Sequence, residues 1–351
     1  MKMFGKVAAS LLVTVLCAYY ALHGVDRALV LAELRMLPAS AVGIYLLTLL
    51  VTHYFRSARW NYLLKPLGLT IPMRRLLPIS SVGFMAILAL PMRLGEFVRP
   101  FYATKEGPIR MSAAVGTVAV ERIVDGLMIS ILFFGSYMAS SGHVFSRELR
   151  FGAWLSLVGF VGLTTFLALA LVRTDATIRW FLRMSLLQRL APTRAAHIAD
   201  RVRALISGFK VLSDPRNLTL FVLETVLYWS FNGLGMWILA TRMGLDISLG
   251  AAFTTMAFTG VVLTLPNSPG LVGQFHAGIK LALMAFLPVA VVNSKGIAYA
   301  VVLHALQTVW YVGFGLISLP LLSRTRGAES LRQAVLSANQ AAENQAAGPA
   351  A

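Results

Sequence analysis

The residues best equipped for chemistry lie in three short stretches set in apolar surroundings. The first is LPMRLGEFVRP at 90–100, where Arg93, Glu96 and Arg99 follow an uncharged run from Ile79 to Leu90. Their i, i+3, i+6 spacing puts neighbours within pairing reach on a helix. Two arginines against one glutamate leave a net positive site. A guanidinium presents a planar fork that suits phosphate oxygens through charge-assisted hydrogen bonds. Pro91 interrupts the helix ahead of the charges, and Gly95 allows close approach of the backbone to a ligand or a second helix. The expected guest is the phosphate diester of a lipid headgroup. The plainer alternative is an interfacial loop whose charges face water.

The second stretch is ERIVDG at 121–126. Glu121 and Asp125 are four apart and share a helix face, from which Arg122 points away. The carboxylates are expected to balance Arg93 or Arg99, or to carry a coupling proton; the alternative is that they mark a helix entry at the membrane surface. The third stretch is PNSPGLVGQFHAGIK at 266–280. Pro266, Pro269, Gly270 and Gly273 break regular structure there, and the free amides of the helix that restarts form an anion site. His276 and Lys280, four apart on one face, are expected headgroup partners, although a lysine can also snorkel. His304, a lone histidine on an apolar face, reads as packed and satisfied.

No hydrolase, P-loop, zincin or dinucleotide-binding motif occurs. Histidines and carboxylates never cluster at metal-ligand spacing, and Cys17 is the only cysteine. No catalytic residue, metal or cofactor is therefore assigned.

These groups must be held by elements suited to lipid. Of 351 residues 58% are hydrophobic and only 13% charged, with a mean hydropathy of +0.74; soluble domains carry about 25% charge. The expected fold is all-α, a polytopic integral membrane protein. The net charge of +17 does not point to nucleic acid, because the basic residues cluster in loops beside apolar spans, as the positive-inside rule requires. A span needs about 20 apolar residues, which gives full spans near 6–24, 38–55, 117–140, 151–172, 217–241 and 297–322. Lys2 and Lys6 before the first apolar run resemble a signal peptide, but with so many spans following an uncleaved helix is expected.

Two stretches, 76–110 and 249–288, are irregular. Basic loops after the second span (Arg56, Arg59, Lys65, Arg74, Arg75), in the linker 174–216, and after 322 all belong in the cytoplasm, together with both termini. That parity holds only if each irregular stretch is a re-entrant hairpin. LPMRLG at 90–95 and LPNSPG at 265–270 share L-P-x-x-x-G, the kind of matched interruption found in inverted-repeat transporters. The alternative is two unrelated helix breaks. The chain thus divides into an N-terminal membrane half (1–173), a basic amphipathic linker (174–216), a C-terminal membrane half (217–322) and a polar tail (323–351). The linker reads as interfacial helix against anionic headgroups, or as a solvated connector.

LPMRLGEFVRP, ERIVDG and LPNSPGLVGQFH, with RSARWNYLL at 56–64, together resemble the lysylphosphatidylglycerol synthase transmembrane-domain family over about residues 8 to 322. The resemblance implies a flippase-like protein of the inner (plasma) membrane that helps move an anionic, aminoacylated or polyprenyl-linked lipid between leaflets. By position, Arg93, Gly95, Glu96 and Arg99 match the first motif, Glu121, Arg122 and Asp125 the second, and Pro266, Pro269, Gly270 and Gly273 the third. Two departures stand out. Ile87 occupies a place where family members often carry Asn, and the family's soluble aminoacyl-transferring domain has no counterpart here. The expected partner is a membrane phospholipid or lipid-linked substrate, with a homo-oligomer or a lipid-modifying enzyme as further partners. An intramembrane enzyme on lipid-linked substrates, or a non-transporting subunit of such an enzyme, is the alternative function.

Overall fold

The computed structural model describes residues 15–139, 147–174, 176, 200, 202–264 and 269–346. Within them the chain is helical, without strands. A short helix α1 (Val15–Leu22) bends by 83° into α2 (Arg27–Arg35). Then follow α3 (Ala39–Ala58), α4 (Trp60–Leu64), α5 (Met73–Ala89), a 3₁₀ turn (Pro91–Phe97), α6 (Val98–Glu106), α7 (Met111–Ala139) and α8 (Arg147–Val172). After α9 (202–207) come α10 (Pro215–Arg242), α11 (Leu249–Val262), α12 (Gln274–Leu283) and α13 (Ile297–Ala346), which continues as helix through most of the expected tail.

By length and hydropathy alone, Ala39–Leu67 and Val289–Leu322 are apolar enough to cross a membrane, and the bent α1–α2 pair makes a third. Helix α7 has 29 residues and α10 has 28, so each exceeds the ~20 that a span requires. In α7 the run Glu121–Arg122–Asp125 lowers the hydropathy; its charges are neutralised inside the protein. The irregular stretches 76–110 and 249–288 are each observed as helix, break, helix.

Packing follows the small residues. Helix α3 lies along α10, α5 along α13, α7 along α11, and α11 against α12. At the α3–α10 contact, Gly235 leaves room for Thr48; a Cβ there would overlap the threonine side chain. Gly116 of α7 faces the Leu205 carbonyl, and a Cβ on Gly208 would lie 2.7 Å from the Gly116 Cα. Ala204, Ile206 and Phe209 are buried in that contact, so the end of the 174–216 linker is packed into the body. Most of the linker's remainder lies outside the described residues. Asp214 caps α10: its Oδ1 accepts from the Asn217 amide at 3.1 Å and its Oδ2 from Asn217 Nδ2 at 2.6 Å. These bonds hold its carboxyl below the usual range.

The first break is set by contact with its own hairpin. A Cβ on Gly95 would run into the backbone of Ala86 and Ile87, at the end of α5. Arg75 closes the base of the hairpin on Glu106, with Nε and an Nη donating to the two carboxylate oxygens at 3.1 and 2.6 Å. We expect Gly95→Ala to destabilise the protein by about 1–3 kcal/mol, as overpacking does. Gly43→Ala, whose Cβ meets nothing within 4 Å, should be neutral or mildly stabilising. Thermal unfolding of both variants in detergent checks the contrast.

Candidate headgroup site

The centre of the structure is a buried cluster of charge. Glu121 and Asp125 lie on one face of α7, with Glu121 ten residues from the helix start and so about 15 Å along its axis. Arg59, in the turn between α3 and α4, is 0% exposed. It donates from both Nη atoms to Asp125 at 2.7 and 2.9 Å, and from Nη2 to Glu121 at 3.0 Å. Its Nη1 also reaches Thr225 of α10 at 3.1 Å. From α6, Arg99 donates through Nη1 to both Glu121 oxygens at 3.1 and 2.9 Å. Trp229 Nε1 donates to Asp125 Oδ1 at 3.1 Å.

Sequence and local structure explain these placements. Arg56 and Arg59 sit at the C-terminal end of α3, where cations suit the helix dipole. Arg99 is the second residue of α6, the unfavourable end for a cation, and Glu121 offsets that cost. The guanidinium of Arg99 lies 4.3 Å from the Trp60 ring and 5.2 Å from the Phe84 ring, in cation–π range. Gly83 makes room for it: a Cβ there would overlap Arg99 Cγ.

Several expectations change at this point. Arg56 and Arg59 are not in a solvated loop: Arg59 is buried and Arg56 partly buried. The run after them, WNYLL, continues apolar and helical, so both arginines are flanked by buried residues and turned inward. That continuation is the signal in the sequence. Arg122 does not point away from the carboxylates: its Nη2 is 2.8 Å from Glu121 and 3.1 Å from Asp125, because a long side chain reaches back over its own turn. Lys280 does not face a headgroup. It is 3% exposed and its Nζ donates to the carbonyls of Tyr20, Ala21 and His23 at 3.2, 3.3 and 2.6 Å. It thereby satisfies the open C-terminal end of α1.

Glu121 and Arg99 do meet, as a pair 2.9 Å apart. Glu96 is partly buried and near enough to Arg122 to act on it electrostatically. The backbone of Pro91 and Arg93 belongs to the 3₁₀ turn, but their side chains lie outside the described residues. Pro266 lies outside them as well, as does the side chain of Pro269. Gly270 and Gly273 have φ of +76° and +86°, with Leu271 between them at +57°; this left-handed run turns the chain into α12. His276 stands edge-on to His304 with ring centroids 4.9 Å apart. His304 is packed and satisfied, with Nε2 2.7 Å from the Gly270 carbonyl oxygen.

Beside the cluster lies a cavity of about 190 Å³. Ile87, Met236, Met256, Leu263 and Phe275 contribute apolar wall, and Arg56, Asn232, His304, Gln307 and Thr308 the polar part. The Arg56 guanidinium lies 4.0 Å from the Phe84 ring and 5.8 and 5.5 Å from those of Tyr228 and Tyr311. Its Nε has no protein partner, and among the described residues it makes no ion pair.

The site thus belongs to an α-helical membrane body with buried arginines and carboxylates beside a largely apolar cavity. The chain belongs to the lysylphosphatidylglycerol synthase transmembrane region family, whose model matches residues 7–315. It is similar to a UPF0104 membrane protein of Methanocaldococcus jannaschii, 22% identical over 276 residues, covering 75% of this chain and 80% of that one. It is also similar to the glycosyltransferase AglD of Haloferax volcanii, 22% identical over 330 residues, covering 86% of this chain and 52% of AglD. The chain thus spans about half of AglD. No solved structure matches it significantly.

Removing one member of a buried ion pair leaves an uncompensated charge and costs about 3–5 kcal/mol, whereas an apolar replacement of both partners is close to neutral. We therefore expect Asp125→Asn to lower the unfolding temperature markedly, and Arg59→Met with Asp125→Leu to recover most of the loss. Thermal unfolding in detergent, followed by tryptophan fluorescence, checks both.

Proposed function

We propose that the chain moves a phosphate-bearing lipid between leaflets, without making or breaking a covalent bond. The observation that carries this reading is Arg56: a guanidinium on the wall of an apolar cavity, with its Nε unpartnered and, among the described residues, no ion pair. A partly buried cation without an ion pair is costly, and in this reading a lipid phosphate supplies the opposite charge while its chain takes the apolar wall. Arg59 and Arg99 are committed to Glu121 and Asp125, so they act as scaffold and set the field around Arg56. The substrate class is anionic, aminoacylated or polyprenyl-linked lipid. The location is the inner (plasma) membrane, with both termini cytoplasmic.

The two helix–break–helix units form matching halves of the path in this reading. Pairing α3 with α10, α5 with α11, α6 with α12 and α7 with α13 exchanges the α5–α13 contact with the α7–α11 contact and maps α3–α10 onto itself. A two-fold relation between halves requires that exchange.

In proteoliposomes containing a fluorescent anionic phospholipid, Arg56→Gln is expected to reduce leaflet exchange to the protein-free rate while the unfolding temperature stays within a few degrees. Full exchange by Arg56→Gln would remove the site. The match to about half of AglD favours a second reading, a membrane portion that serves a separate lipid-modifying enzyme. That reading predicts copurification with such an enzyme and no exchange by the isolated chain.

A further inference from the structure

The cavity narrows the class of lipid, an inference that rests on the reading of this cavity as a lipid-headgroup pocket. Among the described residues that line it, none is Asp or Glu, and Arg56 is the one arginine or lysine. The nearest carboxylates are already occupied. Glu121 receives Arg59, Arg99 and Arg122, and Asp125 receives Arg59, Arg122 and Trp229. Glu224 accepts from the Tyr62 hydroxyl at 3.3 Å through Oε1 and keeps Oε2 unpartnered, but neither it nor Glu96 lines the cavity. A headgroup carrying an ammonium would set that cation near Arg56 with no anion to receive it, in an interior where like charges repel more strongly than in water.

Besides Arg56 and His304, whose Nε2 is taken up by the Gly270 carbonyl, the walls offer hydroxyl and amide chemistry. Thr308 Oγ1 is buried without a protein partner. Gln307 spends Nε2 on the Tyr45 hydroxyl at 2.8 Å and keeps its carbonyl oxygen, and the Asn232 amide completes the set. Hydroxyls and amides together donate and accept, which matches a polyol and not a charged amine.

We infer that this site selects a phosphodiester lipid whose headgroup is uncharged and hydroxyl-bearing, and discriminates against aminoacylated and other amine-bearing lipids. Arg56 holds the phosphate, while Asn232, Gln307 and Thr308 read the hydroxyls. A glycerophospholipid and a polyprenyl phosphosugar share this chemistry and differ in their chains.

Native mass spectrometry of the purified full chain tests the inference, using an equimolar mixture of phosphatidylglycerol, a polyprenyl phosphohexose, phosphatidylethanolamine and lysyl-phosphatidylglycerol. Phosphatidylglycerol, the phosphohexose, or both should be retained over the two amine lipids by about tenfold or more, which corresponds to ~1.4 kcal/mol. Whichever of the two is retained identifies the lipid source, glycerophospholipid or polyprenyl phosphosugar. Asn232→Asp, which puts a carboxylate on the wall, should reverse the preference in favour of the amine lipids, a change of ratio that loss of fold cannot produce. Lysyl-phosphatidylglycerol retained as well as phosphatidylglycerol by the unaltered chain, or no lipid retained at all, overturns the inference. Selective retention without leaflet exchange would remove the transport reading and leave the selectivity. Exchange of all four lipids alike would keep transport and remove the selectivity.

Discussion

Two carboxylates on one face of α7 hold three arginines that come from different parts of the chain. Arg59 arrives from the α3–α4 turn, Arg99 from the first turn of α6, and Arg122 from α7 itself. Because Arg59 also reaches Thr225, and Trp229 reaches Asp125, the same carboxylates tie α10 to the N-terminal half. The cluster is thus where the two halves of the chain meet. A buried salt bridge is weak evidence for stability, since an apolar core of equal volume would serve as well. The arrangement is better understood as a fixed electrostatic frame than as a source of folding energy.

The frame explains the different behaviour of Arg56 and Arg59. The two residues are three apart on adjoining turns, yet Arg59 is ion-paired to both carboxylates, while Arg56 makes no ion pair among the described residues. Phe84 lies between Arg56 and Arg99, 4.0 and 5.2 Å from their guanidinium carbons. Arg56 is therefore held by aromatic faces, which steady a cation without occupying its in-plane N–H donors. An arginine whose charge is already met by a carboxylate supports the frame; one held by ring faces without an ion pair can still accept an anionic guest.

Much of this was legible in the sequence. Apolar runs with two irregular interruptions gave the helical membrane body and both helix–break–helix units, because proline, glycine and hydropathy act locally. That Glu121 and Asp125 would hold Arg93 or Arg99 was one expectation from the cost of burying charge, and Glu121 with Arg99 is the pair found. The inward turn of Arg56 and Arg59 was not legible by the same rule: loop-charge counting treats every arginine at a span end as solvated, and only the apolar WNYLL beyond them says otherwise. The role of Lys280 was hidden for a different reason. Its partners are backbone carbonyls of α1, more than 250 residues away in sequence, and carbonyls carry no side-chain signature.

The two breaks reach a similar shape by different means, and the difference bears on which can respond to a guest. The N-terminal break is pinned on several sides. Gly95 lies against the end of α5, Arg75 pairs with Glu106, and Arg99 is tied to Glu121. The C-terminal break turns through the left-handed residues Gly270, Leu271 and Gly273, with His304 on the Gly270 carbonyl. A non-glycine residue such as Leu271 in that region is uncommon and carries strain. Leu271, Phe275 and His304 line the cavity that Arg56 faces, so the strained turn is in contact with the space the guest would fill. A lipid entering that space would meet a charge-locked wall on one side and, on the other, a left-handed turn on which His304 places a side-chain hydrogen bond. Motion coupled to binding belongs on the second side, because moving the first would separate buried charges.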